Sequence, residues 1–171
     1  NLPDVNRQLS RSALFGIWAM EECWKDAKLD TADIDRERAG VCIGASTFPV
    51  VDETLKFANP RKLLEGELFN AENTKYYLEL CRQHPDLLSQ RNFASISSLL
   101  SARHDLRGSS TTVQSACTSA THAIGEAFQM IRHGQADVVV AGGADSMMSL
   151  VTVTGFTLLG ALSRRSEEPH R

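Results

Sequence analysis

Residues 111–143 read TTVQSACTSATHAIGEAFQMIRHGQADVVVAGG, and three patterns follow one another along them. The first, Ser110–Ser115, is rich in residues that favour strands and comes after the turn signal Leu106-Arg107-Gly108. Its Ser and Thr side chains suit a sheet edge better than a centre, and an exposed edge calls for a partner. The second, Thr118–Arg132, places Ala120, Ala123, Ile124, Ala127, Phe128 and Ile131 on one face of a helix, and His133-Gly134 stops it. The third, Asp137–Gly143, is apolar from Val138 onward and predicts a fully buried strand ending in a glycine pair suited to a sharp strand-to-loop turn. A strand, a helix and a strand within this length form a parallel crossover.

The flanking sequence extends the same rhythm. Between Leu9 and Ala27 the residues Leu14, Ile17, Trp18, Met20, Cys23 and Trp24 approximate helical spacing, with Glu21, Glu22, Lys25 and Asp26 on the wet side. Ala39–Gly44 predicts a short buried strand, and Ser95–His104 a further helix. Residues 48–91 are broken by Pro49, Pro60, Gly66 and Pro85, with a short helix expected at Glu72–Arg82. No internal repeat or low-complexity segment is present. The sum is an α/β protein in which helices and strands alternate in layers.

Composition narrows the function. The chain has 171 residues, 42% hydrophobic and 23% charged, with 18 Lys+Arg against 21 Asp+Glu. That is one domain or a large part of one, with no basic cluster to attract nucleic acid. Apolar stretches are strand-sized, so no membrane span is expected, and no charged leader opens the chain. Both ends read as boundaries within a longer protein. The four cysteines, Cys23, Cys42, Cys81 and Cys117, form no CxxC pair, which points away from a metal site or a disulfide framework and towards a reducing cytoplasm. There is neither a GxGxxG nor a Walker pattern, so no cofactor is indicated.

Cys117 stands where a strand meets the first turn of a helix. Unpaired N–H groups and the positive end of the helix dipole meet there. Both favour a thiolate nucleophile and an oxyanion, and the small Ala116, Ser119 and Ala120 leave room for a substrate. The competing reading is a buried small residue, the usual fate of a free cysteine. Cys23, Cys42 and Cys81, within helical or strand patterns, take that second reading.

The neighbouring residues bear on the choice. The run Ala116–Ala127 closely resembles the active-site segment of β-ketoacyl-carrier-protein synthases, the condensing enzymes of the thiolase superfamily. The resemblance continues through Gly134–Asp145, Gly155-Phe156 and Ala161-Leu162-Ser163. Leu106-Arg107-Gly108 stands where the family has Leu-Arg-Gly-Pro, with Ser109 in place of the proline. The resemblance implies a thiolase-like layered fold, of which residues 1–171 would be an incomplete N-terminal half. The first strand region and the C-terminal half would be absent, and a mixed, mostly parallel sheet would carry a buried nucleophile helix. It also implies a homodimer in which Ser110–Ser115 pairs with its twin, and acyl carrier protein as the partner. Cys117 would accept an acyl thioester and condense it with a malonyl thioester, with loss of carbon dioxide.

Carried over residue by residue, Cys117 matches the nucleophile, its N–H half of the oxyanion hole, and Phe156 a phenylalanine lining the acyl pocket. The two histidines and the lysine with which the family assists decarboxylation have no match here. Of His84, His104, His122, His133 and His170, none lies at the family's distance downstream. His122 reads as structural packing, and His104 and His133 as solvated helix-end residues. Residues 48–91 exceed the family's usual length, with an added acidic and aromatic piece at 72–80. A thiolase acting on coenzyme A esters and an inert chain-length-factor-like partner subunit are the alternatives. A thiolase would follow its cysteine with a small residue and then Ser-Gly, and the inert partner usually replaces the cysteine. A papain-like peptidase, which also places a cysteine at a helix start, lacks its sequence context here.

Overall fold

The computed structural model describes residues 9–45, 75, 78–79, 82–83, 94–148 and 150–165. Helix α1 (Arg11–Asp26) starts where the Ser10 hydroxyl accepts the Ala13 N–H at 3.2 Å, which satisfies one of the unpaired donors of a helix start. Strand β1 follows at Ala39–Gly44, helix α2 at Ala94–Arg103 and strand β2 at Ser110–Val113. A 3-10 turn, Ala116–Thr118, leads into helix α3 (Ser119–Arg132), then strand β3 (Val138–Gly143) and helix α4 (Leu150–Leu158). Lys75, Leu78, Glu79, Arg82 and Gln83 are helical, and Arg82 pairs with Glu79 at 2.9 Å. The remainder of the helix expected at 72–82, like most of 48–91, lies outside the described residues. No described helix is long and apolar enough to cross a membrane.

The strands form a sheet of order β2-β1-β3. It is parallel throughout the described residues, in line with the mostly parallel sheet expected. Val41 pairs with Ser110 and Val140, and Gly44 with Val113 and Gly143. The strand–helix–strand unit at 111–143 therefore does not close on itself, because β1 lies between its two strands. All six residues of β1 are buried, whereas β2 carries Ser and Thr and takes an edge. β3 holds the other edge and is only half-buried, so the expectation of a fully buried strand fails there.

Alternation along β1 divides the core in two. Ala39, Val41, Ile43 and Ala45 join Ala13, Met20 and Trp24 of α1 and Ile96 and Leu100 of α2. On the opposite face Cys42 packs with Ala123 and Ala127 of α3. The result is three layers, with α1 and α2 on one side and α3 on the other. An ion pair pins the start of the sheet. Arg38 Nε and Nη2 each reach Asp137 at 2.7 Å, and the Asp137 N–H donates to Arg38 O at 2.8 Å.

Helix α3 departs from expectation. Ala123 and Ala127 face the sheet and are buried, whereas Ile124, Phe128 and Ile131 are exposed in this chain. The sheet comes so close that only small side chains fit beneath the helix, and the bulky ones turn outward.

Candidate functional site

The closeness of α3 to the sheet has a local cause. A Cβ placed on Gly44 would meet backbone atoms of Ser119 and Ala120 at 2.4–2.6 Å, and one on Gly143 would meet Ala120 Cβ at 2.6 Å. Two strand-end glycines thus make the seat on which the first turn of α3 rests. This is the close backbone approach that glycine permits within a strand. Gly143 therefore serves contact with α3 and not the sharp turn expected of it, and Gly142 has open space at its Cβ position.

From that seat the chain rises into the turn that presents Cys117. Ala116 lies in the left-handed region at φ 52°, which costs a non-glycine residue about 1–2 kcal/mol. Hydrogen bonds made by the neighbours of Cys117 hold the turn. Thr118 donates to Ser115 O from Oγ1 at 2.7 Å and from N–H at 3.2 Å. Ser119 Oγ donates to Ala116 O at 2.7 Å and accepts the Ser115 N–H at 2.8 Å. The Cys117 N–H donates to no group among the described residues, which leaves it for an incoming oxyanion. The thiol is exposed. A sulfur that can be reached, beside a spare N–H and ahead of a helix start, can attack a carbonyl carbon and hold the charge that develops on its oxygen.

The other cysteines differ. Cys42 is buried under α3, and burial, with the Glu126 carboxylate adding to it, pushes its thiol up, which suits an inert core residue. Cys23 is exposed on α1, and Cys81 lies outside the described residues. Phe156 is half-buried on α4, and no hydrogen bond or ring contact joins it to the Cys117 turn among the described residues.

Two histidines correct the sequence reading. His122, expected to be structural packing, is exposed on α3. His104 is not solvated: it stacks on Trp24 with ring centroids 4.1 Å apart, and its Nε2 lies 3.1 Å from Glu21 Oε1. Arg103 donates to the same carboxylate and, with His104, holds it below the usual range. Arg36 lies over the Trp24 ring and donates to His104 O at 3.0 Å. This cluster ties α1 to the end of α2. His133 caps α3 at its exposed end as expected. His84 and His170 lie outside the described residues.

The family model described as "Beta-ketoacyl synthase, N-terminal domain" matches residues 3–171. The chain belongs to the β-ketoacyl synthase family. Among similar proteins, the 3-oxoacyl-[acyl-carrier-protein] synthase 2 of Coxiella burnetii is 27% identical over 96% of this chain and 37% of its own length. The crystal structure of a β-ketoacyl synthase from Burkholderia phymatum superposes with a TM-score of 0.69 at 25% identity, covering 99% of this chain and 38% of that one. A type II polyketide ketosynthase, solved in complex with its acyl-carrier protein, gives a TM-score of 0.64 at 23% identity over 91% of this chain and 36% of its own. The fold is that of the thiolase-like ketosynthases, and the chain spans about a third of the length of the relatives it matches.

Proposed function

We propose that this chain is the nucleophile-bearing, N-terminal half of a β-ketoacyl-carrier-protein synthase, with Cys117 as the acyl acceptor. The reading rests on one observation: a family match across residues 3–171 coincides with an exposed cysteine on a left-handed turn at the start of α3. In the first step Cys117 Sγ attacks the acyl carbonyl carbon. Cys117 reacts as the thiolate, the bond to the carrier-protein sulfur breaks, and that sulfur leaves as a thiolate that takes up a proton from water. In the second step malonyl thioester loses carbon dioxide, and the electron pair left on its α-carbon attacks the acyl carbon. The bond to Cys117 then breaks and the thiolate is restored.

Acyl carrier protein is the partner in this reading, acyl and malonyl thioesters are the substrates, and the cytoplasm is the compartment. Phe156 would line the acyl pocket. β2, at the sheet edge, is the strand on which a second copy would pair to form a homodimer.

The test is incubation of the chain with acyl-carrier protein, followed by peptide mass mapping. An acyl adduct is expected on Cys117 and none on the Cys117→Ser variant; an adduct elsewhere, or none at all, overturns the assignment. Condensation itself is expected to be unmeasurable with these 171 residues, because acid–base partners are worth roughly 10²–10⁴-fold and the family's histidine pair has no match here. Consumption of labelled malonyl-carrier protein by the chain would place those partners within it, with His122 the first suspect.

A further inference from the structure

From the geometry of the Cys117 turn we infer that Ser119 is a positioning residue for the nucleophile, an inference that rests on the reading of Cys117 as the acyl acceptor. Ser119 is 5% exposed, and its hydroxyl is committed twice. It accepts the N–H of Ser115, two residues before Cys117, and donates to the carbonyl of Ala116, which shares a peptide group with the Cys117 N–H. The same carbonyl also takes the Ser119 backbone N–H. One side chain therefore clasps the peptide group that carries the Cys117 N–H and ties it to the one that enters the turn at Ser115.

The clasp lies where the chain is strained. Ala116, at φ 52°, has no side chain with which to hold itself there, and a left-handed alanine persists only when its surroundings impose it. Ser115 is no substitute, because its own hydroxyl is buried and without a partner. Thr118 bonds only to Ser115 O and leaves the Ala116 peptide untouched. The clasp is fixed in turn from below, since the Ser119 backbone rests on Gly44. Ser119 thus transmits the rigid sheet to a nucleophile that it does not touch chemically. Once the hydroxyl is removed, the Ala116 carbonyl keeps only the backbone N–H of residue 119, its left-handed conformation is held less firmly, and the Cys117 N–H shifts from the place where the oxyanion forms.

Ser119→Ala isolates this role, because alanine is smaller than serine, fits the same seat and favours a helix. The expected result is a fall of at least about tenfold in the rate at which acyl-carrier protein acylates Cys117. One misaligned oxyanion donor is worth roughly 10²–10³-fold. The concentration of carrier protein giving half-maximal rate should stay unchanged. Protection from iodoacetamide of Cys42, which is buried in the folded chain, should also be unchanged when read in the same digests and serves as the internal control for folding. Ser119→Thr, which keeps the hydroxyl, should acylate faster than Ser119→Ala. Ser119→Ala acylating at the unsubstituted rate overturns the clasp. So does a loss that parallels the loss of the folded state, since the residue would then merely stabilise the fold. Absence of acylation in the unsubstituted chain strikes instead at Cys117 as the nucleophile, so the two failures are distinct.

Discussion

The two faces of the sheet are built on opposite rules. Towards α1 and α2 the strands meet Trp24, Met20, Leu100 and Ile96, large side chains that fill the space between the layers. Towards α3 they meet Ala123 and Ala127, with Gly44 and Gly143 beneath the first turn. The first face gains stability from volume and tolerates small shifts, because side chains can repack. The second has backbone against backbone and nothing to repack. Precision at Cys117 comes from the thin face, and the energy that sustains it comes from the thick one.

Gly44→Ala should break this division most severely. Its Cβ would collide with Ser119 and Ala120 main-chain atoms at 2.4–2.6 Å, so the helix start must move bodily. A displacement of about 1 Å costs on the order of 10²-fold in rate, and overpacking a further 1–3 kcal/mol or so of stability. Acylation of Cys117 should fall accordingly, with a lower Tm.

Leu100→Ala probes the other face. Leu100 is 1% exposed, and its truncation should cost about 2–5 kcal/mol in urea unfolding. Below the unfolding transition, the Cys117 acylation rate should be preserved. A rate lost along with the stability would mean that the faces are not separable.

Gly143→Ala should be milder, since it meets a side chain, Ala120 Cβ at 2.6 Å. A cost of about 1–3 kcal/mol is expected, partly reversed by Ala120→Gly in the same chain. The double-mutant cycle measures that coupling directly. No partial rescue of this kind should exist for Gly44→Ala.

The smallest effect concerns Asp137. Hydrogen bonding to Arg38 holds its carboxyl below the usual range. A carboxyl depressed in the folded state stabilises the protein above the unfolded carboxylate range, and the benefit disappears as pH falls through the folded value. Both partners are solvated, so Asp137→Asn should change the neutral-pH Tm little. It should flatten the decline in Tm below about pH 4.

Much of this architecture was legible in the sequence. α1, β1, α2 and β3 stand within a residue or two of their expected bounds, because period and glycine punctuation are local signals. The orientation of α3 was not legible. Hydrophobicity alone grouped Ile124, Phe128 and Ile131 with Ala123 and Ala127, whereas the sheet separates them by size. His104 was misread because its partners, Trp24 and Glu21, lie on a helix far upstream in the chain. The Cys117 turn was placed correctly at a strand–helix junction. The role of Ser119 was not, since it depends on a left-handed residue that no composition reveals. Gly44, a glycine ending a buried apolar strand, was the available signal for close backbone approach.

The position of β1 also sets an order in time. Val41 pairs with Ser110 and Val140, so neither ladder joins neighbours in the chain, and a long loop must close before either rewards it. During synthesis β1 emerges early and waits without a partner, while its Gly44 seat stays empty until α3 arrives. The seat of the nucleophile turn thus exists only once β1 and α3 have met, so the geometry at Cys117 depends on contacts made far apart in the chain.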